Sequence, residues 1–129
     1  MNVLVLEDRP EFLAKLAEAI LDPAWNGKVH ATMTTSVVMA AVLLLKGNWD
    51  LAFFDHDLPD GSGWEVLNAF RNEKQNNVDF PVHGVSALPL HNQRLVEHGA
   101  IGFVAKMEGE AFVPKIRQIV QSRLLELRE

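Results

Sequence analysis

With 129 residues, 48% hydrophobic and 22% charged, the chain has the composition of one folded domain. That leaves room for a true core over 1–129 but not for a separate output domain, and it excludes extended disorder. The net charge of −5 offers no basic footprint for direct nucleic-acid binding, and the absence of cysteine removes disulfides, thiolate metal sites and cysteine nucleophiles. A reducing cytoplasm suits such a chain.

Met1-Asn2-Val3-Leu4-Val5-Leu6 is followed at once by Glu7 and Asp8, so it lacks a basic secretory n-region and reads as a strand, Val3 to Leu6. After Pro10 a helix carrying Phe12, Leu13, Leu16, Ala17 and Ile20 on one stripe is expected to reach Leu21, where Asp22-Pro23 stops it. Val29 to Met33 is the second strand. Thr35 or Ser36 caps a second helix through Leu45, and Gly47 occupies a C-terminal position suited to left-handed geometry. The apolar run Val37 to Leu45 falls short of the roughly 20 residues that span a bilayer, so no membrane span is expected. Leu51 to Phe54 is strand three.

A third helix starting at Ser62 or Gly63 buries Val66, Leu67 and Phe70, then gives way to a polar connection from Asn72 to Asp79. Pro81 to Val85 is the fourth strand, Leu90 to His98 a short polar helix, and Ile101 to Ala105 the fifth strand. The last helix, Glu110 to Arg128, turns Phe112, Val113, Ile116, Ile119, Val120, Leu124 and Leu127 inward, with Pro114 tolerated in its first turn. Strands alternating with helices make an α/β (βα)5 unit, a flavodoxin-like three-layer sandwich around a parallel five-stranded sheet of order 2-1-3-4-5.

In that order the carboxyl ends of four strands share one crevice. Glu7 and Asp8 end strand one and Asp55 ends strand three, opening Asp55-His56-Asp57-Leu58-Pro59-Asp60-Gly61-Ser62-Gly63. Ser86 ends strand four and Lys106 follows strand five. The segments Val5-Leu6-Glu7-Asp8, Asp50 to Asp55, Leu58 to Gly63, Val85-Ser86-Ala87 and Gly99 to Lys106 resemble, in order and over nearly the whole chain, the receiver domains of two-component response regulators, the CheY-like phosphorelay modules. The resemblance implies that Asp55 accepts a phosphoryl group, and that Glu7, Asp8, Asp55 and the backbone carbonyl of Asp57 hold Mg²⁺. It also implies that Lys106 and Ser86 meet the phosphoryl oxygens, with Ser86 and Phe103 as switch residues; a plain core role for Phe103 in strand five stays open. The acids give a physical reason for the cation: two carboxylates about 4 Å apart repel by roughly 4 kcal/mol at an effective dielectric of 20.

By the same resemblance the partners are a sensor histidine kinase or phosphotransfer protein and a downstream target protein, with a homodimer possible and no turnover beyond self-phosphorylation and autodephosphorylation. One departure is Met107, where receivers usually carry proline, often in a cis bond; a non-proline cis bond costs about 2.5–4 kcal/mol. His56, His83 and Asp57 invite a metal or acid/base reading that alternation along an extended backbone disfavours. Trp64 either covers the site or packs locally, Trp25 and Trp49 look structural, and Lys115, Arg117 and Arg123 suit a solvated helix face. Three other functions stay open: an aspartate-based phosphohydrolase, since Asp55-His56-Asp57 resembles the haloacid-dehalogenase nucleophile motif; a receiver-like domain processing cyclic phosphates, from Glu7-Asp8-Arg9-Pro10 with Asp55 to Leu58; and a pseudo-receiver interaction module.

Overall fold

Alternate residues of the two central strands point to opposite faces, and both faces are apolar. A computed structural model describes residues 1–74 and 78–128; positions 75–77 of the expected polar connection lie outside the described residues. In it β1 (Asn2–Leu6) pairs in parallel with β2 (His30–Thr34) on one side and β3 (Leu51–Phe54) on the other. Val3, Val5, Leu51 and Phe53 pack beneath α1 (Pro10–Ile20) and the last helix. Leu4, Leu6, Ala52 and Phe54 pack on the opposite side, under α2 (Val37–Lys46) and α3 (Gly63–Glu73). Burial on both sides is what a run such as Leu51-Ala52-Phe53-Phe54 requires.

The sheet continues through β6 (Val82–Gly84) to β7 (Gly102–Phe103), so the spatial order is β2-β1-β3-β6-β7, all parallel. Between them a hairpin of β4 (Asp57–Leu58) and β5 (Gly61–Ser62) leads into α3, and α4 (Pro89–Glu97) joins β6 to β7. With the hairpin set aside, this is the expected 2-1-3-4-5 sheet. A 3₁₀ segment, Lys106–Ala111, then runs into α5 (Phe112–Leu127). Among the described residues no helix is long and apolar enough to cross a membrane.

Several local expectations need correction. Gly47 is extended (φ −95°, ψ 164°), not left-handed; a Cβ there would meet the Trp49 indole at 2.6–2.9 Å, so that ring selects the glycine. Strand five shrinks to two residues, Gly102 and Phe103, which pair with His83 and Gly84, and both Ile101 and Phe103 are exposed. Leu127 is exposed rather than inward, α5 having run past the sheet. The polar start of the expected last helix, Glu110, belongs to the 3₁₀ turn, where Gly109 takes φ 60°.

Trp25 and Trp49 are structural as expected, each donating its indole N–H to a helix carbonyl, Ala19 at 3.1 Å and Leu43 at 2.8 Å. The three late cations are paired, not simply solvated: Lys115 with Glu108 at 2.7 Å, Arg117 with Asp22 at 2.6 Å, and Arg123 with the Asp50 carbonyl at 2.8 Å.

Candidate functional site

Backbone pairing continues past the carboxyl ends of the strands and brings the side chains that follow to one crevice. The Glu7 amide donates to the Thr34 carbonyl, that of Asp55 to Leu6, and that of Lys106 to Ser86. Glu7, Asp55, Ser86 and Lys106 are all buried. The Lys106 ammonium lies 2.8 Å from the Glu7 carboxylate and 3.1 Å from Asp55 Oδ2, and sits 4.6 Å from the Phe12 ring centroid. The His56 amide donates to Asp55 Oδ1 at 2.8 Å.

Glu7, Asp8 and Asp55 each bring a carboxylate oxygen within 4.8 Å of the others. Burial pushes the Glu7 and Asp55 carboxyls above the usual carboxylate range. Lys106 pulls both back in part, while the Asp55 charge beside Glu7, and the Asp8 charge beside Asp55, add to the rise. One ammonium does not balance three carboxylates, and the donor set is all oxygen, so the residues present fit a hard divalent cation such as Mg²⁺. A cavity of about 470 Å³ opens over them, lined by Asp8, Asp55, Asp57, Ser86, His91 and Lys106 among others.

Glu7, Asp8, Asp55, Ser86 and Lys106 therefore meet at one crevice, with two qualifications about the expected set. Glu7 is fully buried and already bound by Lys106, which leaves Asp8 as the more accessible acid. Phe103 is 53% exposed and outward, so its reading as a core residue is wrong. Phe103→Ala is accordingly expected to change the unfolding free energy by no more than about 0.5 kcal/mol in urea denaturation. A loss above about 1.5 kcal/mol would show that the ring is packed.

Other residues sort themselves by contact. Trp64 packs locally, 4.7 Å from the His98 ring with Arg94 over its face, and does not line the cavity. His83 lines a different cavity at the amino ends of the strands with Leu51, Pro81 and Ile101; burial pushes its pKa down. Asp60 is committed to α2, accepting from Ser36 Oγ at 2.7 Å and the Val37 amide at 2.9 Å.

Two residues went unnoticed in the sequence. Asn92, fully buried, donates to the Ser86 carbonyl at 2.9 Å and so fixes the end of β6; an amide on the buried face of a short helix was the available signal. His91 stacks on His56 with ring centroids 3.8 Å apart, and both rings bring Nδ1 close to the Asp57 carboxylate, at 2.8 Å for His56, which hydrogen-bonds to it, and 3.2 Å for His91. Alternation does separate His56 from Asp55, yet the turn brings it onto Asp57.

No protein-family model matches the sequence, and no curated protein matches it. Solved structures do. A two-component response regulator from Clostridium difficile superposes with a TM-score of 0.78 at 14% identity, covering 100% of this chain and 99% of its own. The receiver domain of Francisella response regulator 1452 gives 0.76 at 17%, covering 98% of each chain. The response regulator domain of Thermotoga maritima CheB gives 0.73 at 17%, covering 100% of this chain and 97% of its own. Identities this low speak for architecture alone. Element order, sheet topology and end-to-end superposition agree: the chain has the fold of the CheY-like response-regulator receiver domains.

Proposed function

We propose that this chain is a single-domain phosphoacceptor of a two-component phosphorelay, phosphorylated on Asp55. The observation that carries the reading is the buried Asp55 carboxylate at the end of the central strand, bonded by Lys106, grouped with Glu7 and Asp8, and opening onto a cavity. Asp8 and Asp55, with Glu7 behind them and the Asp57 backbone carbonyl, would hold Mg²⁺, which when bound neutralises the equatorial phosphoryl oxygens.

An Asp55 carboxylate oxygen attacks phosphorus, the new O–P bond forms as the donor's bond to phosphorus breaks, and the donor departs with that electron pair. Asp55 must be ionised to attack, and its raised pKa makes the cation and Lys106 part of its activation. Lys106 exchanges Asp55 for a phosphoryl oxygen while keeping Glu7. The Ser86 hydroxyl, buried at the cavity wall, adds a charge-assisted hydrogen bond of about 1.5–3 kcal/mol. Inverting a 1:99 equilibrium takes about 5.5 kcal/mol, so Ser86 needs help from elsewhere, for which the outward Phe103 ring is placed on the adjacent strand. The donor is a sensor histidine kinase, a phosphotransfer protein or a small phosphodonor, and the output is contact with a target protein or a second copy in the cytoplasm, without direct nucleic-acid binding.

Intact-mass measurement with a small phosphodonor tests this. One Mg²⁺-dependent phosphoryl addition is expected in the parent and none in Asp55→Asn; equal labelling of the variant removes Asp55 from the role.

One observation favours a second reading on the same fold. The His91 imidazole and the Asp57 carboxylate line the Asp55 cavity and could move a proton in hydrolysis of a cyclic phosphate or a simple phosphate ester. Multiple turnovers lost in His91→Gln would select it; stoichiometric labelling without turnover selects the phosphoacceptor.

A further inference from the structure

We propose that His56, Asp57 and His91 form a second metal site, suited to a borderline transition-metal ion such as Zn²⁺ and separate from the all-oxygen cluster of Glu7, Asp8 and Asp55. The three residues come from two places: His56 and Asp57 from the turn after β3, His91 from the first turn of α4. Their ligand atoms all lie within 4.8 Å of one another. His56 is buried, with 5% of its side chain exposed, and its Nδ1 is 2.8 Å from Asp57 Oδ1. His91 Nδ1 is 3.2 Å from Asp57 Oδ2, yet it is buried and makes no hydrogen bond. A buried nitrogen that lies beside a carboxylate without a hydrogen bond to it is left over by the protein's own contacts, and leaving it so is costly.

The donor chemistry separates this group from its neighbour. Two imidazole nitrogens and one carboxylate oxygen make a three-ligand set typical of Zn²⁺ and its neighbours in the first transition row, with remaining positions for water or substrate. Mg²⁺ takes oxygen and dehydrates reluctantly, so it prefers the carboxylate cluster. Because Asp57 and His91 both line the cavity over Asp55, the open coordination positions face that cavity.

Ligation asks for a specific adjustment. The two rings are nearly parallel, 12° apart, and a metal at about 2.0–2.1 Å from each nitrogen must lie near both ring planes, so the stack has to open. Room exists on one side only. The His91 side chain is 26% exposed and that of Asp57 67%, so these two can turn while His56 stays fixed as the anchor.

The test is Zn²⁺ titration of untagged protein by calorimetry in excess Mg²⁺, comparing the parent with His91→Gln, Asp57→Asn and Asp8→Asn. Parallel proton spectra would follow the imidazole resonances of all five histidines. One Zn²⁺ per chain is expected, with shifts confined to His56 and His91. Removal of an outer-shell partner already costs metal sites about 10–100-fold, so His91→Gln, which removes a ligand, should weaken binding at least tenfold while Asp8→Asn leaves it unchanged. Unweakened binding in His91→Gln, loss in Asp8→Asn instead, or shifts at His30, His83 or His98 would overturn the assignment. Spectra of the parent alone decide the matter if His91→Gln does not fold.

Discussion

Lys106→Met is expected to lower the unfolding free energy by about 3–5 kcal/mol at neutral pH, the cost of removing one partner from a buried ion pair. The lysine is buried between two buried carboxylates, Glu7 at 2.8 Å and Asp55 at 3.1 Å, and methionine fills its volume without its charge. The pH dependence has a definite sign. Burial raises both carboxyls, so in this respect the folded state binds protons more tightly than the unfolded chain. Their contribution to stability is therefore greatest below the ordinary carboxylate range and is lost as pH climbs through the raised folded values. Lys106 lowers both, so its removal pushes them further up; the penalty of Lys106→Met is smallest in acid and grows towards neutrality. Mg²⁺ should recover part of it at pH 7. Urea denaturation of parent and variant at several pH values, with and without Mg²⁺, gives the comparison. A loss that is the same at every pH would mean that the lysine acts through packing on Phe12 and not through charge.

Gly63→Ala is expected to cost at least about 3 kcal/mol and to weaken Mg²⁺ binding with it. Gly63 opens α3 and donates its amide to the His56 carbonyl at 2.8 Å, which lays the helix start directly on the turn leaving β3. A Cβ at this position would overlap the Asp55 carbonyl oxygen and lie 3.1 Å from the Asp55 carbonyl carbon and 3.8 Å from His56 Cα. All three are backbone atoms, so no rotamer change relieves the contact, and any retreat carries the Asp55 side chain out of line with Lys106. Gly27→Ala is the control: its φ of 72° is strained for alanine, but nothing lies within 4 Å and the site is remote. Denaturation midpoints and Mg²⁺ titration of both variants separate the two kinds of glycine. A Gly63→Ala protein within about 1 kcal/mol of the parent, binding Mg²⁺ normally, would show that the turn is more pliant than its packing implies.

The core of the sheet was legible because its signals are local. Leu51 to Phe54 is bounded on both sides by aspartate, and its four apolar residues are those of β3. Gly63 to Phe70 carries helical spacing, and α3 buries the three residues expected of it. What escaped depends on residues remote in sequence. Gly47 reads as a left-handed cap until Trp49 folds over it. Asp60 looks like one more acid of the turn until Ser36, 24 residues away, claims its carboxylate. His91 sits in a short polar helix whose own pattern gives no reason to place it against His56. The acidic cluster and its lysine were found from the order of strand ends; which acid the lysine would hold was not, since that depends on how deep Glu7 lies.

Lys106 meets Glu7 across 99 positions of the chain, and that separation governs when the pocket can exist during synthesis. The entropy of closing a loop grows only slowly with its length, about 0.6 kcal/mol per doubling, so the span itself is affordable. Timing is the constraint. A nascent polypeptide extended only as far as Ala105 has the residues of all five strands of the sheet but no lysine for the Glu7 and Asp55 carboxylates at their ends. Until Lys106 is added, the pocket lacks the ammonium that Glu7 and Asp55 share, so it is completed only after the last strand of the sheet has been made.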